Sequence, residues 1–371
     1  MIVREYPFYI KATVVLFGLA LLVYVLAALG DILTPFCFAI LISILLNPLC
    51  NWLQPRVTKI FAVIITLLTA IIVLGSIIYL LTTQVAQFGQ SLPTLKLKFE
   101  SLIDGTENYI LLHFNIATDR QVAFIKEALN SSQALVGRTL GTVLGTLGVI
   151  FIIPTYVFLL LYYKTLILNF LYEVFKEEHI DRVGEILRET KAAIQSYIAG
   201  LLIEMLIVSS LNSAVLLILG LRYAILLGFV GGMLNMVPYI GGIIAILLPL
   251  IIATVTKDGY STQLGIVVGY IIIQFIDNNI IFPRFVSIKV RINALVSVIS
   301  VLLGNALWGV SGMFLSIPFI AILKIIFDRI DDLKPWGRLF GDTVPVLHMG
   351  EVWNKRRKRF GIKTKKDAVA G

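Results

Sequence analysis

Residues 223–256 form an uncharged run of 34, with a proline and two glycines near its middle in Asn235-Met-Val-Pro-Tyr-Ile-Gly-Gly242. About 20 apolar residues suffice to cross a bilayer, so the run is too long for one span. Its helix breakers lie where a single span tolerates them least, because lipid offers no partner to backbone groups freed by proline and glycine. Such a break persists only where protein or a water-filled cavity covers it. A second uncharged run, 292–323, is interrupted around Trp308, Gly309, Val310, Ser311 and Gly312. Two interrupted spans in one chain are the sequence signature of a transport site.

Composition agrees with a membrane setting. The chain is 58% hydrophobic and 14% charged, whereas soluble domains carry about 25% charged residues. Charge-poor stretches recur at 12–29, 32–49, 60–82, 139–163, 197–219, 223–256, 261–283 and 292–323. They predict an all-α polytopic membrane protein with about eight transmembrane segments, two of them broken or re-entrant hairpins. The first stretch lacks a small-residue cleavage site and a second apolar segment follows at once, so it reads as a span and not a cleaved leader. Basic residues at Arg4, Lys11, Arg56, Lys59, Lys176, Arg182, Arg188, Arg284, Lys289 and Arg291 fall on one side of this scheme. By the positive-inside bias that side is cytoplasmic and holds both termini.

The net charge of +9 needs no nucleic acid partner. Eight Lys or Arg follow Asn354, and beside a last membrane segment they are placed to meet anionic lipid headgroups. Cys37 and Cys50 lie 13 residues apart in one span, too distant along a helix to bridge. They read as packed hydrophobes.

Five regions follow: three amino-terminal spans (1–82), an extramembrane helical segment (83–138), a fourth span with cytoplasmic amphipathic helices (139–196), a transport core (197–330) and a basic cytoplasmic tail (331–371). Within the second region Val85, Phe88, Leu92, Leu95, Phe99 and Leu102 are spaced as a short heptad seam. It suits packing within the chain or against a neighbouring subunit, while Pro93 argues against one unbroken helix. In the core, Gly232–Ile240 and Gly312–Ile320 align without gaps, with four of nine positions identical. This echo fits either an inverted repeat built for alternating access or two hinged helices with like packing demands.

Two acids, Glu204 and Asp277, sit deep in predicted spans, where each costs at least about 2.5 kcal/mol and so marks a functional position by default. Either can take and give a proton or pair with a cation, while Glu204, shortly past Gln195-Ser-Tyr197, equally fits a plain position near the interface. Gln274, Asp277 and Asn278 lie three and four apart and share one helix face. That face can offer oxygens to a monovalent cation or to a small polar solute. A structural cluster that satisfies a neighbouring hairpin is the plain alternative. The breaks add Asn235, Pro238 and Tyr239, with Gly241 and Gly242 allowing close backbone approach to a ligand, and then Asn305 and Ser311 from the second run. No phosphate-binding loop, His-Glu-x-x-His motif or CxxC pair occurs, and the three histidines, His113, His179 and His348, lie outside the spans. The chain therefore reads as a non-enzyme without cofactor or metal.

Several motifs occur in a specific order. Leu219-Gly-Leu-Arg-Tyr-Ala-Ile-Leu-Leu-Gly228 runs into Gly232-x-x-Asn-x-Val-Pro-Tyr-Ile-Gly241; Gln274-x-x-Asp-Asn278 precedes Pro283; Gly309-x-x-Gly-Met313 precedes Pro318. Pro154-x-Tyr-Val-Phe158, Pro35 and Asn47-Pro48 stand upstream. Together these motifs, across most of 10–330, resemble the autoinducer-2 exporter family of bacterial membrane proteins. The chain departs from that pattern at Gly242, where the family often has Pro, and at Asn293-Ala294, where it has His-Pro. The resemblance implies a multi-pass inner-membrane transporter that forms a homo-oligomer. It implies export of a small signalling molecule such as autoinducer-2, or sodium/proton exchange. The expected function is a secondary transporter, with a sodium/proton antiporter as alternative and a passive channel or scaffold behind both.

Overall fold

A computed structural model describes residues 7–114, 147–237, 241–257, 259–286 and 292–342. The helices are α1 (Phe8–Ala28), α2 (Gly30–Leu53), α3 (Lys59–Phe114), α4 (Leu147–Tyr162), α5 (Lys164–Val174) and α6 (Ile180–Ile218). They continue as α7 (Ala224–Asn235), α8 (Gly241–Thr256), α9 (Ser261–Ile276), α10 (Ala294–Arg329) and α11 (Lys334–Phe340). A π-helical turn (Asp277–Ile281) and one helical turn (Phe282–Phe285) extend α9. Among the described residues there is no strand, only an isolated bridge between Ile292 and Gly341.

Helix α1 shows why the setting must be hydrocarbon: it is apolar on every side, and its most hydropathic stretch has no buried residue. A helix apolar all round is stable only where apolar surroundings solvate it. Among the described residues, six helices are long and apolar enough to cross a membrane, and α4 with α5, bent by 63°, makes a seventh candidate. The remaining predicted segment is the α7–α8 hairpin. With 12 and 16 residues, its arms reach about 18 and 24 Å, short of a hydrocarbon core of about 30 Å.

The second break also folds back. Trp308 (φ −134°, ψ 22°) and Gly309 (φ 59°, ψ −142°) leave helical geometry inside α10. Beyond them the backbone of Gly312 lies against that of Gly304. Eight residues of straight helix would hold these two about 12 Å apart, so α10 is a hairpin whose arms meet at a glycine pair. Pro93, by contrast, does not divide its segment: one helix runs from Lys59 through it to Phe114. Of the heptad seam, only the Phe88 side chain lies among the described residues. It packs within the chain, its ring 5.5 Å from that of Tyr223. The basic tail beyond residue 342 lies outside the described residues.

The two hairpins point in opposite directions. The indole Nε1 of Trp308 donates to the Leu26 carbonyl at 2.9 Å, and its ring covers Gly30, so the α10 tip sits at the α1–α2 corner. Helix α2 runs away from that corner and α3 returns beside it, where Gln84 accepts from the Leu226 N–H at 3.1 Å. The base of α7 and the tip of α10 thus share one face of the molecule. The tip of α7–α8 points toward the other.

That other face is tied together by polar links. Pro48 has no N–H to give the Ile44 carbonyl one turn earlier, and Gln195 of α6 donates to this oxygen instead, at 2.7 Å. Lys164, at the α4–α5 bend, donates to Asn47 and Asn51 of α2 at 3.0 Å each. Arg329 pairs with Glu185 and Glu189 one turn apart on α6. Lys334 bonds Asp331 at 2.6 Å with Arg182 at 3.8 Å, and the hydrogen bond, then both charges, hold Asp331 below the usual carboxylate range.

Candidate functional site

The two intramembrane acids come together although 73 residues separate them. Asn235 ends α7, and its side-chain amide donates to Asp277 at 2.8 Å and to Glu204 at 3.3 Å. Asp277 is 2% and Glu204 3% exposed. Each keeps a second buried oxygen, Glu204 Oε2 and Asp277 Oδ1, with no hydrogen-bond partner among the described residues.

The helices that carry these groups set them at one depth. Glu204 lies 14 residues before the end of α6, Asp277 16 residues after the start of α9, and Asn235 at the twelfth position of α7. At 1.5 Å per residue all three are about 18–24 Å from the face that holds the base of α7. That is roughly two thirds of the way through a hydrocarbon core.

Charge decides what this cluster can hold. The two accepting oxygens are within about 6 Å of each other, since one amide reaches both. Two like charges at that distance repel by about 3 kcal/mol at an effective dielectric of about 20, and burial adds a desolvation cost to each. Among the described residues, no Lys, Arg or His lines the surrounding cavity. A doubly ionised pair therefore needs a proton or a bound cation. Among the described residues no group of three or more His, Cys, Asp or Glu is placed to cage a metal.

The pair borders a cavity of about 700 Å³, within the range of small-molecule sites. Glu204, Asn235, Gly242, Gln274, Asp277 and Asn278 all line it. Gln274 donates to Asn278 at 3.2 Å, and the π-helical turn begins at Asp277. Such turns insert an extra residue into a helix and occur often at functional sites. The cavity continues past Ser297 to Ile292 and the exposed Asp342, where Asn293 donates to the Leu339 and Gly341 carbonyls and caps α10. Its mouth is thus on the face opposite the base of α7.

Other predicted residues sit elsewhere. Asn305 is exposed on the first arm of α10 and Ser311 half-buried just past its tip; neither lines the cavity. Gly241 does not line the cavity: its backbone abuts Leu234 and Asn235, and a side chain there would prise the hairpin open. Gly242 faces the Gln274 amide. Pro238 and Tyr239 lie outside the described residues. Glu204, isolated in sequence, is bonded into the pair. Tyr197 and Tyr270 also line the cavity; each stands seven residues, two turns, before one of the acids, a spacing that places them on the acids' own helix faces.

The profile described as AI-2E family transporter matches residues 13–332. A candidate transport protein of Haemophilus influenzae is 26% identical over 88% of this chain and 96% of its own length. The AI-2 transport protein TqsA of Escherichia coli K12 is 26% identical over 84% of this chain and 90% of its own. The candidate transport protein YrrI of Bacillus subtilis is 26% identical over 80% and 85%.

Proposed function

This chain belongs to the AI-2E family of transporters, and from that premise we propose that it is an ion-coupled secondary transporter exporting a small polar solute by alternating access. The observation that carries this reading is the buried Glu204–Asn235–Asp277 cluster on the wall of a cavity that reaches the face opposite the base of α7. A cavity that leads from one face to groups able to exchange a proton or cation suits alternating access. The opposed hairpins give the two elements that can rock to expose the site to the other side. Arg182, Arg188, Lys191, Arg329 and Lys334 cluster on the face with the cavity mouth, so the positive-inside bias favours a cytoplasmic mouth, cytoplasmic termini and an inner-membrane location. Autoinducer-2, named for the Escherichia coli relative, is the first cargo to try.

The same pair supports a second reading, sodium/proton antiport, since two carboxylates and an amide can bind a proton and a sodium ion in competition. Proteoliposomes holding the purified chain separate these readings. Under an imposed pH gradient, saturable autoinducer-2 movement lost in Asp277→Asn supports solute export. Sodium movement lost in the same variant supports antiport. Flux that rises linearly with concentration, unaffected by Asp277→Asn, would replace both with a channel.

A further inference from the structure

Apart from Thr190 Oγ1 near the start of α6, the further buried polar atoms that have no partner among the described residues lie on one side of the carboxylate pair. They are Ser209 Oγ and Asn212 Oδ1 on α6, then Tyr270 OH and Gln263 Oε1 on α9. Ser209, Asn212 and Tyr270 are each less than a tenth exposed. Buried polar atoms in native proteins have partners, water included, and a site with several such atoms is where ordered water resides.

Their placement is ordered. Gly269 abuts Val215 and Gly265 abuts Leu219, so α6 and α9 run antiparallel with Gln263 level with the end of α6. Gln263, Tyr270 and Asp277 repeat every seven residues and share a face of α9. Gly232 of α7 meets the Ser209 hydroxyl, and Gly231 meets both Asn212 and the Tyr270 hydroxyl. The α7 glycines thus bring its backbone against this row instead of covering it with side chains. From Asp277 to Gln263 the row covers about 21 Å and leads away from the cavity mouth, toward the face at the base of α7.

We infer that this α6–α7–α9 seam is a proton path joining Glu204 and Asp277 to the face opposite the cavity mouth. Ser and Tyr hydroxyls both donate and accept, and Asn and Gln orient the waters between them. A proton arriving along the row lands on Glu204 Oε2 or Asp277 Oδ1, converting a carboxylate to an acid, and a bound cation or cargo leaves through the cavity. The cavity then carries the solute and the seam carries the proton, which lets the two enter from opposite sides. The path rests on the ion-coupled reading above.

The test uses the full chain in phosphatidylethanolamine/phosphatidylglycerol vesicles with an internal pH-sensitive dye. Sodium is the exchange substrate in one set and autoinducer-2 in a parallel set. Wild type should change the internal pH, and Tyr270→Phe and Asn212→Leu should each slow that change about tenfold, as loss of one buried hydrogen-bonding group does. Tyr270→Phe removes one oxygen only and decides the matter if Asn212→Leu does not fold. Wild-type rates in Tyr270→Phe would overturn the path while leaving the transporter reading standing. A wild-type protein that moves no protons with either substrate would overturn both.

Discussion

The α7–α8 and α10 hairpins invite comparison because their sequences echo each other and their breaks do different things. In the first, the break follows Asn235 at once and delivers its amide between two buried acids. In the second, the break precedes the matching segment, so Gly312–Ile320 lies wholly in the returning arm. Leu315, the counterpart of Asn235, is packed at 1% exposure, and Trp308 spends its only polar group on α1. One hairpin presents an amide to two buried acids; the other is an anchored wall whose base, near Ala294 and Ser297, borders the cavity. The shared residues therefore record a common need, a helix that turns back within the membrane, and not a duplicated binding site.

That contrast can be broken experimentally. The largest effect is expected at the acids: Asp277→Asn or Glu204→Gln should lower ion-driven flux about a hundredfold or more, since each removes a buried, bonded charge. Equal loss on introducing changes at the α10 tip would erase the contrast. Next, Asn235→Leu and Leu315→Asn exchange the two counterparts. The former should cut flux about tenfold by leaving both acids without their shared donor. The latter should lower stability by about 3 kcal/mol, read as a fall in melting temperature, with flux per folded molecule kept, because it buries an amide in an apolar site. A smaller effect belongs to Trp308→Phe: loss of one hydrogen bond to Leu26 should destabilise by about 1 kcal/mol without altering the apparent KM. Smallest of all, Asn305→Ala and Ser311→Ala should stay within about 0.5 kcal/mol of wild type in stability and keep full transport. A marked transport defect in either would return the second tip to the site.

Scarcity made much of this legible in sequence. Charges are so few in the spans that Asp277 and Glu204 stood out singly, and two uncharged runs broken by Gly and Pro announced hairpins. Local spacing was enough to place Gln274, Asp277 and Asn278 on one face. What spacing could not supply was partnership across the fold: Glu204 meets Asn235 only through the docking of α6 on α7. Asn305 and Ser311 were expected at the site because they flank a break, yet polarity near a break does not say which way the tip points. The π-helical turn leaves no periodic mark, and Ser209, Asn212 and Tyr270 looked unremarkable because such residues are common in spans. Pro93 shows the converse, a strong local signal overridden within a long helix.

The carbonyl of Ile44 carries a consequence for how this chain can vary. Pro48 strips that oxygen of its ordinary donor, and a side chain 147 positions later replaces it. Positions 48 and 195 are therefore expected to vary as a couple. A lineage that loses Gln195 strands a carbonyl in hydrocarbon unless it also regains an N–H at 48, and one that regains the N–H releases Gln195 to drift. Pro48→Ala should accordingly rescue Gln195→Leu, so that the doubly changed chain melts above the singly changed one. Across the family, the two sites should be found altered together more often than apart.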